Sequence, residues 1–216
     1  MVVIGILIAL AINNWREAKK ARDFEVKMLS EIQTTLEADL FFLDTHLLGT
    51  RNQREVDAVS FFKDLLAGNP RNLDSLRYNY FGLTNGQFFR INTGPYESLK
   101  SIGLEKISND SLRNKIVYFY GFIFPRNRDL IQYQQDQVDD DVELLRTLEE
   151  DMTYNIQNDE VEIIRPTPPV SIIKDPTFLR VLKNTERRTE WTIAQSDIIR
   201  DELISLKDFI QQELDK

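Results

Sequence analysis

Residues 1–15 read MVVIGILIALAINNW, and the rest of the chain is interpreted outward from this stretch. Every position from 2 to 12 is apolar or small, so the stretch lacks the polar face of an amphipathic surface helix. Two amides and Trp15 follow, and then a basic cluster, which is the order in which a spanning helix leaves lipid for water. The cluster consists of Arg16, Lys19, Lys20 and Arg22. The pattern predicts a membrane anchor over residues 1–15 and a water-soluble domain over residues 16–216.

The anchor is short for a complete membrane span. As a helix, residues 1–12 extend about 18 Å, whereas the hydrocarbon core of a bilayer is about 30 Å thick. The alternatives are a buried helix of a soluble core and a signal peptide, although the basic start and cleavage site of a signal peptide are missing. We expect the C-terminal part of a transmembrane helix that begins upstream. The residues expected in or beside the lipid are Val2, Val3, Ile4, Ile6, Leu7, Ile8, Leu10, Ile12 and Trp15.

Several motifs carry a family resemblance. They are IGILIALAINNW at 4–15, YESLKSIG at 96–103, ISN at 107–109, LRNKI at 112–116 and DPTF at 175–178. Together they resemble a domain-of-unknown-function family of uncharacterised, membrane-anchored proteins found chiefly in Bacteroidota. Its members usually carry further apolar residues upstream, preceded by a short basic tail. The resemblance implies a single-pass protein of a bacterial inner membrane, and it implies no activity.

The side of the membrane depends on the charges at both flanks of the span. The basic cluster that follows Trp15 would place the domain in the cytoplasm, because positively charged flanks stay inside. The basic tail that the resemblance implies upstream acts in the opposite direction. We expect a cytoplasmic N-terminus and a periplasmic domain.

Composition limits the partners of the domain. The chain has 216 residues, 42% of them hydrophobic, with a net charge of −8 and no cysteine. Disulfides and thiolate sites are therefore excluded. An acidic domain repels nucleic acid, so no nucleic-acid partner is expected. The expected partners are membrane lipid through the first helix, and a protein partner or a homo-oligomer. Gly5 and Ala9 have the small-xxx-small spacing that packs membrane helices together.

Apolar residues recur at intervals of three and four, which predicts an all-α fold. The N-terminal transmembrane helix is expected to continue into a coiled-coil-like bundle of about four long helices. The first should run to Leu48 with Gly49 as its C-cap, and Glu25 should lie mostly off its apolar face. The other long helices are predicted at 53–67, 112–152 and 176–214, with shorter helices near 74–80 and 95–103.

Proline, asparagine and aspartate mark the expected irregularities. Pro125 predicts a bend or a short interruption of the third long helix. Ser108 or Asn109 should cap the helix that starts directly after them, and Asp175 should cap the last helix. A short irregular or hairpin segment is predicted near 155–174, where the runs 161–164 and 170–173 flank three prolines.

No motif in the chain carries recognisable chemistry, and no catalytic, cofactor-binding or metal-binding residue is predicted. His46 is the one histidine, which excludes His–His metal pairs. The acidic run 139–141 is interpreted as a solvated helix face, and the pairs Arg187–Arg188 and Arg126/Arg128 as exposed salt-bridge partners. The sequence favours a non-enzymatic interaction or sensory module. The alternative is a membrane-tethered enzyme with a carboxylate-based site between helices.

Overall fold

The first helix, α1, extends over 41 residues from Val2 to Phe42. The computed structural model describes residues 2–86, 89–148, 153–157, 160–164 and 168–216. A π-helix, Leu43–Asn52, follows α1 directly and leads into α2, Gln53–Leu66. The prediction that Gly49 caps the first helix is therefore wrong. A Cβ atom at Gly49 would lie 2.8 Å from the Asp44 carbonyl oxygen, so the glycine serves the close backbone packing of the π-helix.

Short helices fill the middle of the chain. α2 ends before Gly68, whose φ of 81° is the left-handed conformation expected of a glycine after a helix. A 3₁₀ turn at Leu73–Ser75 precedes α3, Leu76–Gly82, and α4 is Gly94–Ile102. A second 3₁₀ turn, Leu104–Lys106, leads to α5, Asp110–Tyr118. Asn109 caps α5 as predicted, because its side chain accepts the Leu112 N–H at 3.1 Å.

The predicted interruption at Pro125 is confirmed. A five-residue π-helix, Phe119–Ile123, separates α5 from α6, Phe124–Arg146. Proline has no N–H to donate to the preceding turn and its ring clashes with the carbonyl four residues earlier. The wider hydrogen-bonding pattern therefore falls in the turn just before Pro125.

The hairpin uses a different partner strand from the expected one. β1, Thr153–Gln157, and β2, Glu160–Ile164, pair antiparallel, with Thr153 opposite Ile164. The run 170–173 lies instead in a 3₁₀ turn, Val170–Lys174. A two-residue connection favours the observed pairing, whereas prolines cannot donate to a strand ladder. Residues 158–159 and 165–167 of this predicted segment lie outside the described residues.

The last helix, α7, runs from Pro176 to Leu214. Asp175 caps it as predicted, since its carboxylate accepts the Thr177 N–H at 2.7 Å. Apart from the hairpin, the elements in the described ranges are helical, which supports the all-α class. None of the helices that the structure describes is both long enough and apolar enough to cross a bilayer.

Two compact units divide the chain. The first unit contains Met1–Phe42, Arg90–Arg126 and Ile198–Lys216, and the second contains Leu43–Phe89 and Asn127–Asp197. In the first unit, α1 packs its buried stripe with α4 and the turn at Leu104–Lys106. In the second, an aromatic core is built on Phe62 and Phe178, whose rings meet edge to face at 4.9 Å.

Candidate functional site

The N-terminal part of α1 exposes an all-round apolar surface. The side chains at 3, 4, 6, 7, 8, 10, 12 and 15 are between 51% and 69% exposed. Residues 3–21 are all exposed, and partial burial begins at Arg22. The side chain of Val2, the remaining residue of the predicted anchor, lies outside the described residues. Soluble monomers rarely expose a continuous apolar surface of this kind, which makes the segment a candidate interaction surface.

Basic side chains surround α1 where the apolar segment ends. The Lys19 ammonium lies 5.9 Å from the centre of the Trp15 ring, within range of a cation–π contact. Lys20 forms an exposed ion pair with Glu17 at 3.1 Å. Trp15 and Lys19 therefore present an aromatic ring and a positive charge together at the end of the apolar segment.

A buried polar cluster joins three segments of the first unit. Glu25 is only 2% exposed, and its carboxylate accepts the Ser108 N–H and hydroxyl, each at 2.8 Å. Arg22 donates to the same carboxylate at 2.9 Å and to the Glu213 carbonyl oxygen at 2.8 Å. Glu25 was expected mostly off the apolar face, and that prediction is wrong because these donors satisfy its charge inside the unit.

Glu213 lies at the far end of the same cluster. Its carboxylate accepts the Asn109 amide at 2.6 Å and the Lys216 ammonium at 2.8 Å. The Asn109 hydrogen bond, followed by Lys216 and then the nearby Arg22 charge, lowers the pKa of Glu213. Asn109 therefore caps α5 and also holds the end of α7.

Asp39 is the second buried carboxylate of α1. It is 7% exposed, and both of its oxygens face the Asn92 N–H, at 3.1 and 3.2 Å. Burial raises the pKa of Asp39 to about 6, and the Asn92 hydrogen bond offsets part of that rise. Burial, and then the Asp39 charge, raise the pKa of the Tyr120 phenol, whose ring stacks on Tyr96 at 4.5 Å.

The second unit contains a fully buried ion pair. Arg188 donates to Asp141 at 2.8 Å, and the two side chains are 3% and 2% exposed. Asn184 also donates to Asp141, at 2.9 Å, and Arg188 donates to the Leu83 carbonyl oxygen at 3.0 Å. Asp139 and Asp140 are exposed as predicted for a solvated face, but Asp141 is not. The prediction of an exposed pairing is likewise wrong for Arg188.

A polar stripe replaces the apolar stripe in the middle of α7. Thr185, Thr189, Thr192 and Ser196 are at most 3% exposed. Thr189 donates to the carboxylate of Glu55, which is fully buried, at 2.9 Å. Sequence reasoning missed this stripe, although the apolar rhythm of the helix lapses between Leu182 and Ile199.

A groove of about 400 Å³ opens between α2 and α7 in the second unit. Val56, Val59 and Ile193 supply its apolar lining. At its rim, Lys63 donates to Glu186 at 2.6 Å, and this hydrogen bond raises the pKa of Lys63. The groove combines an apolar floor with a charged rim, as protein-binding surfaces commonly do.

The remaining sequence candidates lie apart from these clusters. His46 is exposed in the first π-helix, and Arg128 forms an exposed ion pair with Asp129 at 2.9 Å. Arg126 is exposed at the start of α6. Within the described ranges, no three histidine, aspartate or glutamate side chains converge as metal ligands would.

Comparison with known proteins supplies a family and no activity. No curated protein and no solved structure gives a match to the chain. The sequence model of a family of unknown function, DUF6090, matches residues 1–142, which is more than half of the 216 residues. The chain therefore belongs to the DUF6090 family of unknown function.

Proposed function

We propose that this chain is a membrane-tethered, non-enzymatic interaction or sensory module. The observation that carries the proposal is the apolar segment 3–12 of α1, which is exposed on all sides. Burying a single large aliphatic side chain contributes roughly 1.5–3 kcal/mol, so covering the whole segment is worth on the order of 10 kcal/mol. Lipid fits the segment because Trp15 and the basic cluster follow it in the order typical of a membrane interface.

Charged substitutions in the segment test the attachment. In the variant Leu7→Asp/Leu10→Asp, each aspartate costs about 3 kcal/mol near the centre of a bilayer. We expect the protein to move from the carbonate-washed membrane pellet to the supernatant. Ile198→Asp/Leu179→Asp is the matched control, because both side chains are exposed apolar residues of α7. Equal pelleting of the two variants would contradict the attachment.

The interior of the second unit supports a module over an enzyme. A carboxylate-based site needs acidic groups directed at a shared space, but Asp141 is held by Arg188 and Asn184. Glu55 in turn accepts the Thr189 hydroxyl. Buried carboxylates engaged in this way contribute to structure, and the groove between α2 and α7 is the surface that the unit offers to a partner.

Site-specific crosslinking tests that surface. A photoreactive residue at Val56, which lines the groove, should give a discrete adduct in intact membranes. The same residue at Tyr133, which is 61% exposed on α6, serves as the control. Identical adduct patterns at both positions, or adducts at neither, would count against a partner in the groove.

We also propose that the domain faces the periplasm of a bacterial inner membrane. The support is the short basic tail that the family resemblance implies upstream of the anchor, because such a tail opposes the effect of Arg16, Lys19, Lys20 and Arg22 and is easily retained in the cytoplasm. Alkaline phosphatase fused after Lys216 should be active, because it folds only after export. An inactive phosphatase fusion, with a fluorescent cytoplasmic reporter at the same position, would overturn this orientation.

A further inference from the structure

A small groove lies beside the end of the apolar segment in the first unit. Its volume is about 260 Å³. Its floor is apolar, formed by Ala21, Phe24 and Ile102, and Ile102 is 51% exposed. Its rim is charged, with Glu17, Lys20 and Lys106. Lys20 and Lys106 come from different elements, α1 and the turn at Leu104–Lys106, which contact each other. The groove is therefore a product of the fold and not of helix periodicity alone.

The groove lies at the depth expected of lipid headgroups. Lys20 follows Trp15 by five residues, which corresponds to about 7.5 Å along the helix axis. The polar region of one leaflet is about 5–8 Å thick, given a total bilayer thickness of 40–45 Å and a core of about 30 Å. With Trp15 at the interface, Lys20 and the groove face the headgroups.

The charge around the groove is opposite to that of the chain. The net charge of the protein is −8. Of the side chains that line the groove, Lys20 and Lys106 are basic and Glu17 is acidic. The adjoining stretch of α1, residues 15–24, also has more basic than acidic residues, namely Arg16, Lys19, Lys20 and Arg22 against Glu17 and Asp23. In the part of the chain that the structure describes, Arg16, Lys19 and Lys106 form no ion pair with an acidic side chain. The pair of Lys20 with Glu17 is exposed, so it holds Lys20 only weakly.

We propose that this groove binds the headgroup phosphate of an anionic phospholipid, through Lys20 and Lys106. The inference rests on the membrane attachment proposed above and adds a lipid specificity to it. Lys20 and Lys106 approach the phosphate from two sides, while Phe24 and Ile102 contact the glycerol and the first methylenes. Anionic lipid is thereby preferred to zwitterionic lipid, and the first unit is held close to the surface.

Lipid binding by the purified full chain tests the proposal. The protein in detergent is titrated with phosphatidylglycerol or with phosphatidylcholine, and bound lipids are counted by native mass spectrometry. A lysine near an anionic surface strengthens binding about five-fold, so Lys20→Gln/Lys106→Gln should lower the preference for phosphatidylglycerol about 25-fold at low salt. Lys20→Arg/Lys106→Arg retains both charges and should restore most of the preference.

The matched control is Lys27→Gln/Lys115→Gln. Lys27 lies seven residues further along α1, about 10 Å beyond Lys20. Lys115 bonds to Ser205 of α7. The groove end of α7 is marked by Glu213, which pairs with Arg22, and Ser205 precedes Glu213 by eight residues. Lys115 therefore lies away from the groove. The control should keep the wild-type preference.

The outcomes separate the two proposals. Failure of the wild-type chain to float with phosphatidylcholine or phosphatidylglycerol vesicles would overturn both. Flotation with equal lipid binding by wild type and Lys20→Gln/Lys106→Gln would overturn the headgroup site alone. Binding of glycerol 3-phosphate in place of phosphatidylglycerol, at similar concentrations, would identify a soluble phosphate ligand and overturn the lipid assignment.

Discussion

Glu25 in the first unit and Asp141 in the second are each 2% exposed, but their counter-charges differ. Arg22, the partner of Glu25, keeps a side chain that is 35% exposed, whereas Arg188, the partner of Asp141, is 3% exposed. A cation that reaches water loses little when its partner is removed. When both members of a pair are buried, removing either one leaves the other in the interior as an uncompensated charge. The comparison predicts that breaking the Arg188–Asp141 pair costs more unfolding free energy than breaking the Arg22–Glu25 pair.

Arg188→Met should have the largest effect. It leaves the Asp141 charge in the interior with only the Asn184 amide, so we expect a loss of about 3–5 kcal/mol of unfolding free energy. In a Trp15→Phe background, Trp191 becomes the one tryptophan and its fluorescence reports unfolding of the second unit in urea. Arg187→Met, at the neighbouring exposed position, should change stability little.

A double variant sharpens the result. Arg188→Met/Asp141→Leu removes both charges, and it should recover most of the stability that Arg188→Met loses, because the buried charge is gone. Additive losses in the double variant would show that the two charges do not compensate each other.

Glu25→Gln should cost less, about 2 kcal/mol, because it weakens charge-assisted hydrogen bonds without burying a free charge. The Ser108 N–H, which donates to Glu25 at 2.8 Å, provides a local readout through hydrogen exchange. Its exchange should accelerate, whereas Glu31→Gln, on the exposed side of α1, should leave it unchanged. A loss equal to that of Arg188→Met would break the comparison between the two units.

Asp39→Asn should act in the opposite direction, stabilising the first unit by about 1–2 kcal/mol at pH 7.5. The pKa of Asp39 in the fold is about 6, above its ordinary 3.8, so the folded chain binds a proton more strongly than the unfolded chain. Wild-type stability should therefore fall as the pH rises from about 4 to about 6. The variant removes this dependence.

Two measurements check the Asp39 prediction. The stability difference between variant and wild type should be smallest near pH 4 and constant above about pH 7. The protection of the Asn92 N–H, which is its exchange rate relative to the intrinsic rate at each pH, should change between about pH 4 and pH 7 in wild type, and it should not change in Asp39→Asn. Asp23→Asn, an exposed change on the same helix, is the control and should keep the wild-type pH profile, and loss of the pH dependence in that variant as well would contradict the assignment.

Asn109→Ala should have the smallest effect, about 1 kcal/mol, through loss of the α5 cap. The same change removes the donor to Glu213 and should raise the pKa of that carboxyl group, which can be followed by NMR titration. Asn114→Ala, at an exposed position within α5, should be neutral or slightly stabilising because alanine favours helix. Equal destabilisation by both substitutions would count against the cap.

The helix ends could be predicted from the sequence because they depend on neighbouring residues. Asn109 and Asp175 cap the helices that follow them, and Pro125 accompanies an interruption, each through contacts within a few residues. The prediction of a C-cap at Gly49 is wrong because it, too, rests on neighbouring residues alone. A glycine after an apolar stripe resembles a C-cap, and only the close approach to the Asp44 carbonyl shows its actual use.

The buried charges could be found only in part. Glu25 and Asp39 fall at the same three-and-four spacing as the buried residues Met28, Ile32 and Leu36 of α1. Their spacing therefore indicates burial, although acidic residues are ordinarily assigned to the surface. The identity of their partners could not be predicted from spacing, because Ser108 lies 83 residues from Glu25 along the chain. Arg188 and Asp141 are similarly separated by 47 residues. Long-range pairing of this kind depends on the packing of whole helices.

The arrangement of the first unit sets the order in which it can form during synthesis. Arg22 bonds to Glu213, 191 residues later, and the whole second unit is translated between the two. At about 5–20 residues per second, α1 waits on the order of ten seconds or more for this partner. The second unit is completed at Asp197, which precedes Glu213, so it has both of its segments before the first unit has all three. A chain truncated after Asp197 would therefore contain the whole second unit and an incomplete first one.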